Sequence, residues 1–206
     1  MEKTIEKARE LLLNQDEPSF GLDIPCMKFG KNIIFDTFQN YAKITGTSGG
    51  VFKQIKDGCT IIKGDIHIIL THSRSSVLNY RVSPIADTGN KRMNWTMAHE
   101  VGHIMLGHLK DDEEEERQAN NFASELLMPE LVMLELKRGL GRKLGVHEVS
   151  RLFDVSQNAA LNRISQMERR SRFSAYLKHE MMKKYKSLID DYIEKNKEKL
   201  CQTITI

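Results

Sequence analysis

The fold of this chain is decided by the stretch Ala98-His99-Glu100-Val101-Gly102-His103-Ile104-Met105-Leu106-Gly107-His108. His99 and His103 are four residues apart, so on an α-helix both imidazoles lie on one face, about one turn from each other. Apolar residues surround them on most of the helix surface, which predicts a buried helix. Buried imidazoles and the neighbouring carboxylate of Glu100 need partners, and a metal ion would satisfy all three groups.

The residue types in this stretch suit zinc. Two neutral imidazoles and a carboxylate hold the ion and leave a fourth position for water, whose pKa then falls to about 7. Glu100 would take the proton of that water and later return it to a leaving amine. This is the H-E-x-x-H arrangement of zinc peptidases. A histidine-containing core without any metal is the alternative.

The third ligand has to come from outside this stretch. A metzincin would need glycine at position 106 and histidine at position 109, whereas this chain has Leu106 and Leu109. His108 is one residue short of that position and follows Gly107, a residue that commonly ends helices. We interpret His108 as a residue at the rim of the site. The other known arrangement takes a glutamate from a later helix.

Such a helix is predicted in residues 111–128, where an acidic run passes into an amphipathic pattern. Its buried face is defined by Ala119, Phe122, Ala123, Leu126 and Leu127. Glu116 falls on the same face, and burying a carboxylate without a cation is costly. The other acidic residues indicate a solvated surface or helix N-terminal charge. Asn120, one turn further, is predicted to hold the second ring nitrogen of a ligand histidine.

The two stretches, residues 99–103 and 116–129, together resemble the ImmA/IrrE metallopeptidase family. Its paired motif is H-E-x-x-H followed by E-x-x-A-N-x-F-A-x-x-L-L-x-P, and both halves are intact here. The resemblance covers roughly residues 20–165 and fades at both ends. It implies a zincin-like fold in which the zinc ligands are His99, His103 and Glu116, and Glu100 is the general base. Members tend to cut a repressor with a helix-turn-helix domain, in mobile elements, stress responses or toxin-antitoxin loci.

The composition of the chain indicates the class of protein and its location in the cell. A chain of 206 residues that is 40% hydrophobic and 29% charged is typical of a globular protein with a substantial core. No apolar run is long enough for a membrane span and the N-terminus lacks an apolar signal core, so we expect a cytoplasmic protein without a membrane partner. Cys26, Cys59 and Cys201 are odd in number and far apart, which argues against disulfides and a cysteine zinc site.

The region before the zinc helix is predicted to contribute β-structure. Residues 31–35 could form a first strand, and residues 59–62 and 66–70 form a hairpin around a tight turn. We expect a small antiparallel sheet beside the zinc helix, with Asn90 as the N-cap of that helix. In zinc peptidases an edge strand often receives the substrate as an added strand; the sequence leaves open which edge.

The predicted fold class is α+β, mainly helical and zincin-like, divided into three parts. Residues 1–130 form the metallopeptidase core, residues 131–167 a helix-turn-helix-like helical pair, and residues 168–206 a long basic amphipathic helix. In the second helix of the pair, Asn158, Asn162 and Arg163 could reach DNA, but DNA binding is not favoured, because a similar pair belongs to the family's fold. We expect the last helix to pack on the body or on a second copy in a homodimer.

The predicted function is therefore Zn²⁺-dependent hydrolysis of peptide bonds, with Glu100 as the catalytic base. A second donor to the oxyanion is expected, and Tyr80, Arg74 and His108 are equivalent candidates at this point. The alternative is a non-catalytic regulatory protein that binds DNA or a repressor through its C-terminal helices. The intact Glu100 argues against that alternative, since a structural zinc site has no use for a base.

Overall fold

The computed structural model describes residues 2–55, 57–72, 88–110, 112–167 and 175–204. Within these residues there are three strands, β1 (Asn32–Thr37), β2 (Gly58–Lys63) and β3 (Ile66–Thr71). The α-helices of the same residues are α1 (Glu2–Leu13), α2 (Phe38–Thr45), α3 (Thr88–Leu106), α4 (Glu113–Leu127), α5 (Glu130–Leu140), α6 (Val146–Leu152), α7 (Gln157–Met167) and α8 (Ala175–Ile204). The predicted α+β class, mainly helical with one small sheet, is confirmed.

The chain divides into two compact units. The sheet unit comprises Asp23–Ala123, and the helical unit comprises Met1–Leu22 with Ser124–Ile206. The predicted division at residues 130 and 167 is a different partition and stays a prediction. None of the helices in the described residues is both long and apolar enough for a membrane span.

The sheet has the strand order β1-β3-β2. Strands β2 and β3 form the predicted hairpin and are antiparallel, with Gly64 in the turn at a φ of 62°. Strand β1 pairs with β3 in parallel, so the expectation of a purely antiparallel sheet is wrong. Between β1 and β3 the chain passes through α2 and β2. A connection of that length permits two strands to lie parallel. Residue periodicity within a strand carries no information about its direction.

The two faces of the sheet have different neighbours. One face packs on a core cluster of Phe38, Phe52 and Leu70, to which Cys59, Ile61 and Ile68 contribute. Side chains alternate along a strand, so Thr60 and Ile62 of β2 point to the other face. Helix α3 contacts β2 and β3. The contact at Gly58 is so close that a Cβ there would lie 2.6 Å from Thr96 Cγ2.

Helix α3 carries the two motif histidines and is fixed at its C-terminal end. It begins at Thr88, which places Asn90 inside the helix; the prediction that Asn90 is the N-cap is wrong. It ends at Leu106, followed by Gly107 with a φ of 73°, a conformation that glycine adopts without strain. Lys31 Nζ donates to the Ile104 carbonyl at 2.8 Å and so satisfies one of the last carbonyls of the helix.

The helical unit contains the predicted helical pair and the predicted long last helix. Helices α6 and α7 form the pair, and Ser156 Oγ accepts from the Ala159 amide at 3.2 Å, as an N-cap does. Helix α8 contacts α1 and α5 and buries Met181, Tyr185 and Ile189. This part of the apolar stripe is therefore covered within the unit and is not open to a second copy.

Arg163 is buried in the helical unit. It is 0% exposed, forms an ion pair with Glu125 and donates its Nε to the Met128 carbonyl at 2.9 Å. Arg9, also buried, donates its Nε to Glu125 Oε1 at 2.7 Å. The suggestion that Arg163 could reach DNA is therefore wrong, because its guanidinium group is buried and paired with Glu125.

Glu125→Gln should lower the free energy of unfolding by about 3–5 kcal/mol, because two buried guanidinium groups then share one counter-charge fewer. The control is Glu135→Gln, whose carboxylate pairs with the exposed Arg138 and should cost about 0–1 kcal/mol. Urea denaturation of both variants measures the difference. Equal losses would show that the buried pairs have no special weight.

Candidate metal centre

His99 and His103 of α3 face Glu116 of α4 in the sheet unit. Glu116 Oε2 lies 3.4 Å from His99 Nε2, and Glu116 Oε1 lies 3.2 Å from His103 Nε2. The two Nε2 atoms are 3.0 Å apart. These three side chains are close enough to hold one metal ion. The grouping expected from the sequence is thus present, while its role as a ligand set stays a prediction.

Glu116 differs from the expectation in its burial. Its side chain is 44% exposed, whereas those of His99 and His103 are 15% and 16% exposed. The cost of burying a carboxylate therefore does not explain its position, although the helical period placed it on the correct face. Glu116 forms an open side of the centre.

The hydrogen bonds around His99 direct a lone pair into the centre. His99 Nδ1 lies 3.2 Å from Asn120 Oδ1, and since an amide oxygen only accepts, Nδ1 carries the proton and Nε2 carries the lone pair. Asn120 thus contacts a motif histidine in the way the sequence suggested. Burial lowers the pKa of the His103 imidazole, and the neighbouring His99 ring lowers it further; the neutral ring is the form that binds metal.

The donor set fits a zinc ion. Two neutral imidazole nitrogens and one carboxylate direct electron pairs toward the same point, an arrangement that is repulsive until a cation occupies it. Nitrogen and oxygen donors in this number match zinc sites that keep a position open for water. The residues present therefore suit the ion that the motif predicted.

A glycine allows the two ligand-bearing helices to approach each other. A Cβ on Gly102 would lie 3.2 Å from both Ala119 Cα and Ala119 O, and 3.2 Å from Phe122 Cδ1. Sequence reasoning overlooked Gly102, because the motif allows any residue there. A signal existed, since glycine inside a helix costs about 1 kcal/mol relative to alanine and so needs a packing reason.

Glu100 is oriented from the sheet. Thr60 of β2 donates its Oγ1 proton to Glu100 Oε2 over 2.6 Å, which fixes the carboxylate beside the two histidines. Sequence reasoning did not identify Thr60. Alternation along β2 placed its side chain on one of two faces, but only the register against α3 shows which group it meets.

A cleft of about 820 Å³ lies over the centre. Its lining includes the three grouped side chains and Glu100, together with residues of β2 and β3, namely Gly58, Cys59, Thr60, Ile62 and His67. Burial raises the pKa of the Cys59 thiol to about 11, and the charge of Glu100 adds to the effect. Without a metal ion, the thiol is therefore protonated at neutral pH.

Of the three suggested oxyanion donors, His108 lies within the described residues, and Tyr80 and Arg74 lie outside them. His108 lines the cleft, and its Nδ1 is 3.1 Å from His103 Nδ1. Its contact is thus with a candidate ligand. A role at the oxyanion stays a prediction for all three residues.

Residues 77–165 match the family model of the IrrE N-terminal-like domain, a peptidase family. The match contains both α3 and α4, hence every member of the candidate centre that comes from a helix. This match supports an ImmA/IrrE family metallopeptidase, and the resemblance stated from the paired motif is confirmed. A comparison with curated proteins finds no match for the chain.

Gly102→Ala should weaken zinc binding and lower stability by about 1–3 kcal/mol, because the added methyl group pushes α4 and its Glu116 away from α3. Zinc titration against a chromophoric chelator and thermal unfolding measure the two effects. Gly49→Ala is the control, since a Cβ there meets nothing within 4 Å. Unchanged zinc affinity in Gly102→Ala would show that the close approach does not set the ligand geometry.

Proposed function

We propose that this chain is a zinc-dependent peptidase in which His99, His103 and Glu116 hold the ion. The observation that carries the proposal is the convergence of three metal-binding side chains beside Glu100, whose carboxylate is held by Thr60. The family of the matched segment supports the same class of reaction. When bound, a zinc ion supplies a Lewis acid that lowers the pKa of water and polarises a carbonyl oxygen.

Glu100 is the general base of this reaction. Its carboxylate accepts a proton from the attacking water as the water oxygen bonds to the scissile carbonyl carbon. The carbon–nitrogen bond then breaks, and the same proton passes from Glu100 to the leaving amine nitrogen. Thr60 keeps Glu100 Oε2 in a fixed orientation through both transfers.

The substrate binds as an extended peptide along β2. Among the described strands, β2 pairs with β3 alone, and its residues line the cleft, whereas β1, at the other edge, contributes none. Main-chain hydrogen bonds to an edge strand bind extended peptides with many side chains. Of the two edges that the sequence left open, β2 is therefore the one that receives the substrate.

The substrate proposed is a transcriptional repressor with a helix-turn-helix domain, cut at a specific bond in the cytoplasm. Support for this narrower statement comes from the resemblance of both motif halves to ImmA/IrrE members. The alternative is a non-catalytic protein that binds DNA through α7. In that protein Arg163 could not contact DNA, because its side chain is buried. Asn158 and Asn162 remain exposed.

Glu100→Gln should keep its zinc and lower the rate of repressor cleavage about 10²–10⁴-fold, because the amide cannot take the proton. Mass spectrometry of repressors encoded near this gene, after incubation with each protein, detects the cut. Metal analysis of both proteins is the control. Cleavage that survives in Glu100→Gln would refute its role as the base, and intact repressors with the unmodified protein would count against this substrate.

Thr60→Val should reduce the rate about 10–100-fold at unchanged zinc content, since a hydrogen bond to a charged group is worth about 1.5–3 kcal/mol. Thr60→Ser keeps the hydroxyl group and should retain most of the rate. Steady-state kinetics on the cleaved peptide separate the two variants. Similar rates in both would mean that the hydroxyl does not orient Glu100.

A further inference from the structure

His108 has a position that the proposed chemistry does not explain. The left-handed conformation of Gly107 turns the chain back, and the His108 amide donates to the His103 carbonyl at 3.0 Å. The imidazole of His108 then stands against that of His103, with ring centroids 5.0 Å apart at 77°. The next residue, Leu109, is 89% exposed, whereas His108 is half-buried against the centre.

Three hydrogen bonds connect His103 with an acidic residue on the surface. His103 Nδ1 lies 3.1 Å from His108 Nδ1, His108 Nε2 lies 3.2 Å from Gln118 Oε1, and Gln118 Nε2 donates to Glu114 Oε1 at 2.7 Å. Glu114 is held in turn by Arg117, whose Nε donates to it at 3.1 Å. The chain of contacts is continuous from the surface to the candidate ligand.

With His103 and His108 both in the neutral form, the direction of every proton in this chain follows from its outer end. A carboxylate only accepts, so the amide nitrogen of Gln118 faces Glu114 and its oxygen faces His108. His108 Nε2 must then carry the ring proton. A neutral imidazole has a single N–H, which makes His108 Nδ1 an acceptor and His103 Nδ1 the donor. His103 Nε2 is left with its lone pair, on the side of His99 and Glu116.

We propose that His108 is a positioning residue that, with Gln118 and Glu114, fixes the proton of His103 on Nδ1 and so keeps Nε2 ready for the metal ion. This inference rests on the proposed metal centre. The partner on the second nitrogen of a ligand histidine sets its tautomer and orientation and raises its affinity for metal. Asn120 accepts a hydrogen bond from His99 and His108 accepts one from His103, so each candidate ligand ring has its own acceptor.

Direct metal binding by His108 is the competing explanation. His103, His108 and Glu115 also lie close enough to hold an ion. Glu115, however, accepts the amides of Leu109 at 3.4 Å and Lys110 at 2.7 Å, and thereby fastens the loop that carries His108. His103 would also have to turn Nδ1 to this second ion. The observed contacts favour an orienting role.

The first test reads the tautomer directly. Nitrogen-15 spectra of the metal-free protein should show His103 protonated on Nδ1, and in His108→Phe the proton should populate both ring nitrogens. A His103 proton on Nε2 in the unmodified protein would overturn the proposal. Since this measurement needs no metal and no cleavage, it decides the proposal even if the peptidase function fails.

The second test measures zinc affinity by competition with a chromophoric chelator. His108→Phe should bind zinc about 10–100-fold more weakly, and His108→Asn, whose amide oxygen replaces the acceptor, should stay within about threefold of the unmodified protein. Gln118→Met leaves both imidazole rings in the sequence but removes the acceptor of His108 Nε2, and it should also weaken binding. His147→Ala, at an exposed position in α6, is the matched control and should change nothing.

The same variants distinguish positioning from the other roles. A direct ligand would make His108→Asn as weak as His108→Phe and would change the absorption spectrum of the cobalt-loaded protein; either result refutes the proposal. Full zinc affinity in His108→Phe also refutes it. The expected result is weaker affinity in His108→Phe and Gln118→Met, rescue in His108→Asn, and the same cobalt spectrum in every saturated variant.

Discussion

Polar atoms of His99, His103 and Glu116 lie 3.0–3.4 Å from one another between α3 and α4, and the proposed chemistry depends on this grouping. If both rings carry lone pairs on Nε2 and no cation is present, His99, His103 and the carboxylate of Glu116 repel one another. The helices hold them together because Gly102 permits a close approach. Packing thus supplies the geometry that a metal ion needs, and the ion would relieve the electrostatic strain.

The centre draws its parts from two kinds of structure with different tasks. The helices provide the side chains that could hold a metal ion, since residues one turn apart share a face. The sheet provides Thr60, which orients Glu100, and an edge that lies along the cleft. Helices are well suited to fix ligand spacing, whereas an edge strand can bind a peptide whose side chains vary. The proposed activity needs both properties in one unit.

Much of this arrangement follows from local sequence patterns. Helical spacing placed His99, His103 and Glu116 on facing surfaces, and the hairpin followed from strand runs around a tight turn. Both are properties of neighbouring residues along the chain, which periodicity records. The paired motif also indicated the family, and the family model matches the segment that contains both halves of the motif.

What the sequence did not reveal depends on residues that are distant along the chain. Arg163 looked like a surface residue because its partner, Glu125, lies 38 positions away. The parallel direction of β1, the contact of Thr60 with Glu100 and the packing reason for Gly102 are likewise tertiary. The exposure of Glu116 also belongs here, because a helical period gives the face of a side chain but not the depth of the surrounding cleft.

The environment of the Cys59 thiol determines how readily that thiol reacts. Peroxide and alkylating reagents react with the thiolate form of a cysteine. Here burial and the charge of Glu100 raise the pKa of the thiol to about 11, so very little thiolate exists at neutral pH. Without a metal ion, the Cys59 thiol should therefore react slowly with these reagents at neutral pH.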